Sequence, residues 1–530
     1  MQTNVVKKSQ VTNHHKDYDA KLSQWTIVSD AVKGAQTIKL KSTTYLPRPD
    51  PTDLSPEATE RYQQYLLRAL YYNATGRTLE GLVGHVFAKQ TVKTLTPRLD
   101  LLSNNIDGRG MTLDQLAKVN LRRILQFGRA GVFTDYPKRD EKLGAATMED
   151  LDKGRVRPKI LSYSTFDIIN WGEIEFGGIV ILNLVVLREI YKSESDENGF
   201  GIDDLFQYRV LRLDTNNGYQ PIYTQEIWRQ QGGSQEWTIA EGPFVPTKSD
   251  GQPFDFIPFK FIGWEHNTPD VNSVPLFDLA DLNLAHYRNS ADFEESTFII
   301  GQPQMVFTGV TKDWVKEVWK GKGVKFGSRS AIALGPDAAA QIIQAEPNNL
   351  SQIGMELKQK QMIALGAVLV EEKSVQRTAK EAGQDETTKV SVLSSSADNI
   401  SDAITSALEW AGMFIGEEQG LKKDDKGAEV KQIEYALNTD FEVAKMDAQE
   451  RQQLISEYQA QIISWTEVRT GLKAAGVAFQ EDKLAREEIE NDPNNQNPLD
   501  QGLDPMTGLP IDAKKPAEKE KVPATKPPTE

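Results

Sequence analysis

The chain has 530 residues, 61 Lys and Arg against 76 Asp and Glu, a formal net charge of −15 and no cysteine. Without cysteine a disulfide-stapled scaffold, a zinc ribbon and an iron–sulfur site are excluded, and the acidic balance argues against a protein that coats nucleic acid through a basic surface. At roughly 150 residues per domain the length predicts about three or four domains, and 39% hydrophobic residues are enough for real cores.

Residues 1–54 show little periodicity and end in Tyr45-Leu-Pro-Arg-Pro-Asp-Pro51, whose prolines favour an extended segment, so an N-terminal arm is expected. The opening stretch, with Met1, Lys7, Lys8, His14, His15 and Lys16, lacks the apolar core of a signal peptide. Ser55-Pro56-Glu57 reads as a helix cap and first turn, and Tyr62, Tyr65, Leu66, Ala69 and Tyr72 recur at helical spacing. A second helix carries Leu79, Leu82, Val83, Val86 and Phe87. A third follows the capping box Thr112 and Gln115. From about 158 to 262 short β-rich runs punctuated by Gly177-Gly178, Asn216-Asn217-Gly218 and Gly232-Gly233 predict an antiparallel sheet inserted among helices. Its longest apolar run, Ile179 to Leu187, contains Asn183 and falls far short of the ~20 residues of a membrane span. An intracellular, soluble protein is therefore expected. A long helix is predicted over about 275–298, then a compact α/β insert, a helix over about 350–365, a polar loop over 373–388, a long helix over 390–415 and a helical region over 443–490. The tail from Pro493 has eight prolines in 38 residues and cannot bury enough surface to fold.

Catalytic signatures are lacking. Gly76 and Gly81 have the glycine separation of a phosphate loop, but Leu82 and Val83 stand where Lys and Ser/Thr would hold phosphate and Mg²⁺. The bland reading there is a helix start at Gly76, close packing at Gly81 and Gly84, and a packed or capping His85. Gly128-Arg-Ala-Gly131 lacks the third glycine of a dinucleotide fingerprint and reads as a helix-to-strand turn. His14, His15, His85, His266 and His286 show no zinc-hydrolase spacing, and there is no Gly-x-Ser-x-Gly elbow. Carboxylate pairs such as Asp203-Asp204, or Asp278 and Asp281, are weak evidence for a metal in so acidic a chain. No enzyme activity, metal or cofactor is expected.

Two charge patterns stand out. Asp278, Asp281, Arg288, Asp292 and Glu295 fall at steps that share one face of the predicted 275–298 helix. Either it is a solvated surface helix, or it packs beside copies of itself with Asp278, Asp281, Asp292 and Glu295 facing a shared space. The insert has the opposite polarity: Lys312, Lys316, Lys320, Lys322, Lys325 and Arg329 outnumber Asp313 and Glu317 and form a solvated face or a docking patch.

The order of these parts resembles the portal proteins of tailed bacteriophages. Tyr65 to Phe87 and Gln126 to Pro137 are similar to the N-terminal region of a phage portal-like family, Pro275 to Tyr287 with Phe298 to Pro303 to the start of the portal stem, and Ile463 to Leu472 to the C-terminal region. The resemblance covers roughly residues 55–490 and implies an α+β subunit that assembles into a ring, usually of twelve copies. It implies an arm over 1–55, a wing over 56–270, a first stem helix over 271–298, a clip over 299–346 and a second stem helix over 347–366. A tunnel loop over 367–388 would carry Lys373, Arg377 and Lys380, followed by a wing return over 389–440, a crown over 441–492 and a disordered tail over 493–530. Such a ring sits at one capsid vertex of the virion, after assembly in the host cytoplasm, and passes double-stranded DNA during packaging and ejection without sequence-specific binding. Its implied partners are the major capsid protein and scaffold at the wing, and the terminase and then head-completion, adaptor and tail proteins at the clip; no membrane is involved. The alternatives are a neck or baseplate protein without a channel, or a packaging terminase, which would need the phosphate loop that Leu82 breaks.

Overall fold

A computed structural model describes residues 10–136, 147–194, 202–230 except 217 and 219, 236–319 except 303, 334–343 except 336, 349–369, 391–417, 421–423, 429–439, 448–474 except 461, 478 and 484–486. The chain divides into two compact units, Met1–Phe441 and Glu442–Glu530.

The N-terminal segment corrects the expected arm. α1 (Lys16–Lys33) starts at His15, whose ring accepts from the Asp17 N–H, and it buries Tyr18, Trp25, Val28 and Ala31. These four share a helical face, but the Lys, Asp, Ser and Gln residues between them dilute the stripe until it reads as polar. Trp25 fixes the helix by donating its indole N–H to the Phe127 carbonyl at 2.9 Å. Lys41, between α2 (Ala35–Leu40) and a 3-10 turn (Ser42–Thr44), and Tyr45, just after that turn, both donate to the buried Asp30 carboxylate.

α3 (Pro56–Arg68) is capped by Ser55 and α4 (Ala74–Val86) by Asn73. Leu82 and Val83 are core residues of α4, but Gly81 and Gly84 are not packing positions: a Cβ at either would meet nothing within 4 Å. His85, expected to be packed or capping, is exposed in the last turn. β1 (Val92–Thr94) and α5 (Pro97–Asp100) lead to α6 (Leu113–Phe127), which opens on the complete Thr112–Gln115 capping box. Gly128 ends α6 at φ 76°, and a Cβ there would lie 2.2 Å from the Ser273 carbonyl oxygen, so the turn into β2 (Arg129–Asp135) accepts only glycine.

Beyond α7 (Met148–Asp152) and β3 (Lys159–Ser164), the chain makes an antiparallel meander of β4 (Ile168–Phe176), β5 (Ile179–Glu194), β6 (Ile202–Asp214), β7 (Ile222–Gln230) and β8 (Trp237–Phe244). β9 (Phe259–Gly263) then returns beside β2, which pairs antiparallel with both β3 and β9. Arg209 of β6 bonds Glu189 of β5 at 2.7 Å and Asp135 of β2 at 3.2 Å, and so ties the two sheets together. Tyr163 and Gln207 donate to the same Glu189 at 2.5 and 2.7 Å. Burial raises Asp135 above the usual carboxylate range against the pull of Arg209. Burial also acts on Glu189, but there Arg209 and the hydrogen bonds prevail and hold it low.

The rest of the first unit is α8 (Phe277–Ile300), β10 (Gln304–Thr308), α9 (Lys312–Trp319), β11 (Ala339–Ile343), α10 (Leu350–Val368), α11 (Val392–Ile415), β12 (Leu421–Lys423), β13 (Glu429–Lys431) and β14 (Glu434–Ala436). β10 and β11 form their own antiparallel ribbon, and β14 pairs with β1. α11 is capped by Ser391 at one end and by left-handed Gly416 at the other. It runs through the core with Leu393, Ala397, Ile400, Ile404, Leu408 and Ala411 fully buried. In the second unit α12 (Ala448–Gln459) is followed by α13 (Trp465–Ala474), whose start carries a capping box between Ser464 and Glu467.

Candidate functional site

The centre of interest is α8, whose sequence is polar on several sides because it has different partners on each. Leu279, Ala280, Leu284, Tyr287 and Ala291 are buried. Among them Asn283 is fully buried: its side-chain oxygen accepts from the Thr75 N–H at 3.1 Å and the Thr75 hydroxyl at 3.0 Å, and lies 3.1 Å from the Tyr71 hydroxyl, whose one proton it shares with the Ala31 carbonyl. Its amide nitrogen donates to the Tyr72 carbonyl at 2.7 Å. One asparagine therefore pins the turn between α3 and α4 onto α8.

α3 grips the second half of α8. Tyr65 donates to Asp292 at 2.6 Å, and the phenol is raised by burial, then by that hydrogen bond and the carboxylate charge. Arg68 pairs with Glu295, Arg61 stands 3.8 Å from the same carboxylate, and the Arg68 guanidinium lies 4.1 Å from the Phe298 ring centre. On another flank α10 approaches so closely that a Cβ at Gly354 would sit 2.6 Å from Asn289. Burial, then Lys358 of α10, lowers His286 from its ordinary value.

This geometry separates the four carboxylates expected to face a shared space. Asp278 and Asp281 are exposed on the first turns of α8 and have no hydrogen-bond or ion-pair partner among the described residues. Asp292 is exposed as well but accepts from Tyr65 through one oxygen, and Glu295 pairs with Arg68 and Arg61 of α3 within the same chain. Spacing along one helix groups residues by face but does not reveal that Tyr65 and Arg68, one turn apart on α3, meet that face. Lys312 and Lys316 are exposed one turn apart on α9. Lys320, Lys322, Lys325 and Arg329 of the basic patch, and Lys373, Arg377 and Lys380, lie outside the described residues. Among the described residues no group of three or more His, Asp and Glu could hold a metal ion, and no helix is long and apolar enough to cross a membrane.

Glu295→Gln keeps the shape but removes the charge that Arg68 and Arg61 face. The Glu295 side chain is only 17% exposed, so the variant is expected to lose about 1–3 kcal/mol of stability in urea unfolding. An unchanged midpoint would mean that the grip of α3 is immaterial.

A family described as a domain of unknown function (DUF4055) matches residues 275–415, from just before α8 to the last residue of α11. No curated protein matches the sequence. Among solved structures, a chain in the virion of a native gene transfer agent (GTA) particle is similar at 14% identity and a TM-score of 0.37, covering 82% of this chain and 98% of that one. A chain in the neck of an empty GTA particle with C6 symmetry is similar at 14% identity and 0.38, covering 76% and 90%. One in the neck of a native GTA particle with C12 symmetry is similar at 13% identity and 0.35, covering 82% and 98%.

Proposed function

We propose that the chain is a portal-type subunit of a phage-like particle, a structural protein with no reaction of its own, whose copies form a ring at one capsid vertex through which double-stranded DNA enters and leaves. The observation that carries this reading is the packed pair α8 and α10, which brackets the β10–α9–β11 piece and is followed by the core helix α11. In portal terms the pair is the stem and the bracketed piece the clip, the side on which terminase and later head-completion proteins dock. The wing would meet capsid and scaffold.

The carboxylates give the channel its chemistry. A pore for a sliding polyanion must avoid strong contacts with phosphate, because every charge-assisted bond has to be broken again at the next step. Asp278 and Asp281, exposed and unpaired among the described residues, would repel the duplex evenly once repeated around a ring. The double variant Asp278→Asn/Asp281→Asn is expected to fold and assemble but to change the packaging yield or the retention of packaged DNA. Unchanged packaging and retention would remove these two residues from the channel.

A terminase enzyme fits poorly, because Leu82 and Val83 are 3% and 1% exposed inside α4 and offer nothing to a nucleotide phosphate. A neck or baseplate protein without a channel differs by its symmetry. Negative-stain images of the purified full chain decide between them: rings with an axial pore support the portal reading, and monomers or plates without a pore overturn it.

A further inference from the structure

α10 turns one face to α8 and leaves another bare. Gly354, Lys358 and Met362 share the face toward α8, where Met362 is 4% exposed. At about 100° per residue, Ile353, Leu357 and Ala364 fall together on a different face. Ile353 and Leu357 are 58% and 56% exposed, and Ala364 is exposed two turns further on. Single exposed leucines are ordinary, but a row at the spacing of a helix–helix seam is the signature of a missing partner helix.

A second bare patch lies where α2 and α3 end. Leu40, Leu67 and Leu70 are 77%, 69% and 59% exposed, and the Lys39 ammonium on the Leu67 carbonyl at 3.0 Å holds the two helix ends together. The α8 residues that meet α3, Asp292 and Glu295, and those that meet α10, His286 and Asn289, are centred about 120° apart around the α8 axis. At the edge of the patch, the Leu70 N–H donates to the Ser290 hydroxyl of α8 at 3.1 Å.

We infer that the α10 stripe seats the Leu40, Leu67 and Leu70 patch of a second copy of this chain. The inference rests on the ring reading above and names the surfaces that build the ring. Charge agrees with apolar fit: exposed Lys360 borders the stripe, and exposed Glu60 shares the Leu67 face of α3, neither with an ion-pair partner among the described residues. Because the two patches differ, the contact is head-to-tail and runs from copy to copy until the rotation closes, where a self-complementary patch would stop at a dimer.

The test uses the full chain, mass photometry and negative-stain microscopy. Ile353→Asp/Leu357→Asp and Leu67→Asp/Leu70→Asp alter only exposed positions, so circular dichroism is expected to stay unchanged while the concentration for half assembly rises at least about tenfold. An equimolar mixture of the two variants, each keeping one intact face, should give pairs and no rings. Lys360→Glu should weaken assembly and Glu60→Lys on the same chain should restore it. Rings from either double-Asp variant at wild-type concentrations, or dimers of Leu67→Asp/Leu70→Asp alone, would overturn the assignment of surfaces and leave the ring reading intact. A wild-type chain that never forms rings would overturn the ring reading, and this inference with it.

Discussion

Asn283→Leu is expected to destabilise the protein by about 3–5 kcal/mol, read as a lower urea midpoint with the slope of the transition unchanged. Leucine has the same branched four-atom skeleton as asparagine, but it is bulkier and neither donates nor accepts. The Tyr71 hydroxyl keeps its bond to the Ala31 carbonyl at 2.9 Å. The Thr75 N–H and the Tyr72 carbonyl lose the partners that Asn283 supplied. Each orphaned group costs roughly 1–3 kcal/mol, and the Thr75 hydroxyl adds to that. The damage should spread beyond α8, because the same asparagine fixes the start of α4. A variant within about 0.5 kcal/mol of the wild type would show that apolar packing alone holds the α3–α4 turn.

Arg209→Met should cost a similar amount at pH 7, about 3–5 kcal/mol, because it leaves two buried carboxylates without their cation. The dependence on pH gives the sharper test. In the wild type, Glu189 is held below its ordinary value, so its contribution is present above the unfolded pKa and fades as pH falls through the folded one. Without Arg209, burial is opposed at Glu189 by the Tyr163 and Gln207 hydrogen bonds and at Asp135 by the Tyr136 N–H and Lys159, and with the main cation gone both carboxylates are expected to rise above their unfolded values. The folded variant then takes up protons as pH falls and regains stability. The gap between variant and wild type is therefore expected to narrow from pH 7 to pH 5 in denaturant titrations. A gap that is constant or wider at pH 5 would show that Arg209 serves only as packing against Phe133, whose ring centre lies 5.7 Å from its guanidinium carbon.

Much of the framework was legible because it rests on local chemistry. The caps at Ser55, Thr112 and Gly128 announce helix ends through hydrogen bonds a few residues long, and the meander follows from turn residues and alternating runs. α1 was not legible: its buried positions are few and set among charges, and what makes it a core helix is the carbonyl of Phe127, more than a hundred residues away. The candidate site divides the same way. That Asp278, Asp281, Asp292 and Glu295 share a face is arithmetic on one helix, but that two of them are held depends on Tyr65 and Arg68, which no periodicity connects to α8. Asn283 left only a faint signal, a polar residue at a position whose neighbours on the face are apolar. The glycines at 81 and 84 show the opposite error, since small residues suggested close packing where the helix faces solvent.

The place of α11 in the core has a consequence for synthesis. This helix supplies buried residues from Leu393 to Ile415 that cover α6, β2 and β9, yet it emerges from the ribosome 392 − 127 = 265 residues after α6 is complete. At about 5–20 residues per second that interval lasts roughly 13–53 s. Throughout it the nascent chain shows the apolar surface that α11 will close, and β1 waits for a partner strand that arrives later still. In the ring proposed above, recruitment of neighbouring copies while the chain is still being made would therefore risk the wrong surface meeting the wrong partner, so assembly is best deferred until translation has passed residue 437.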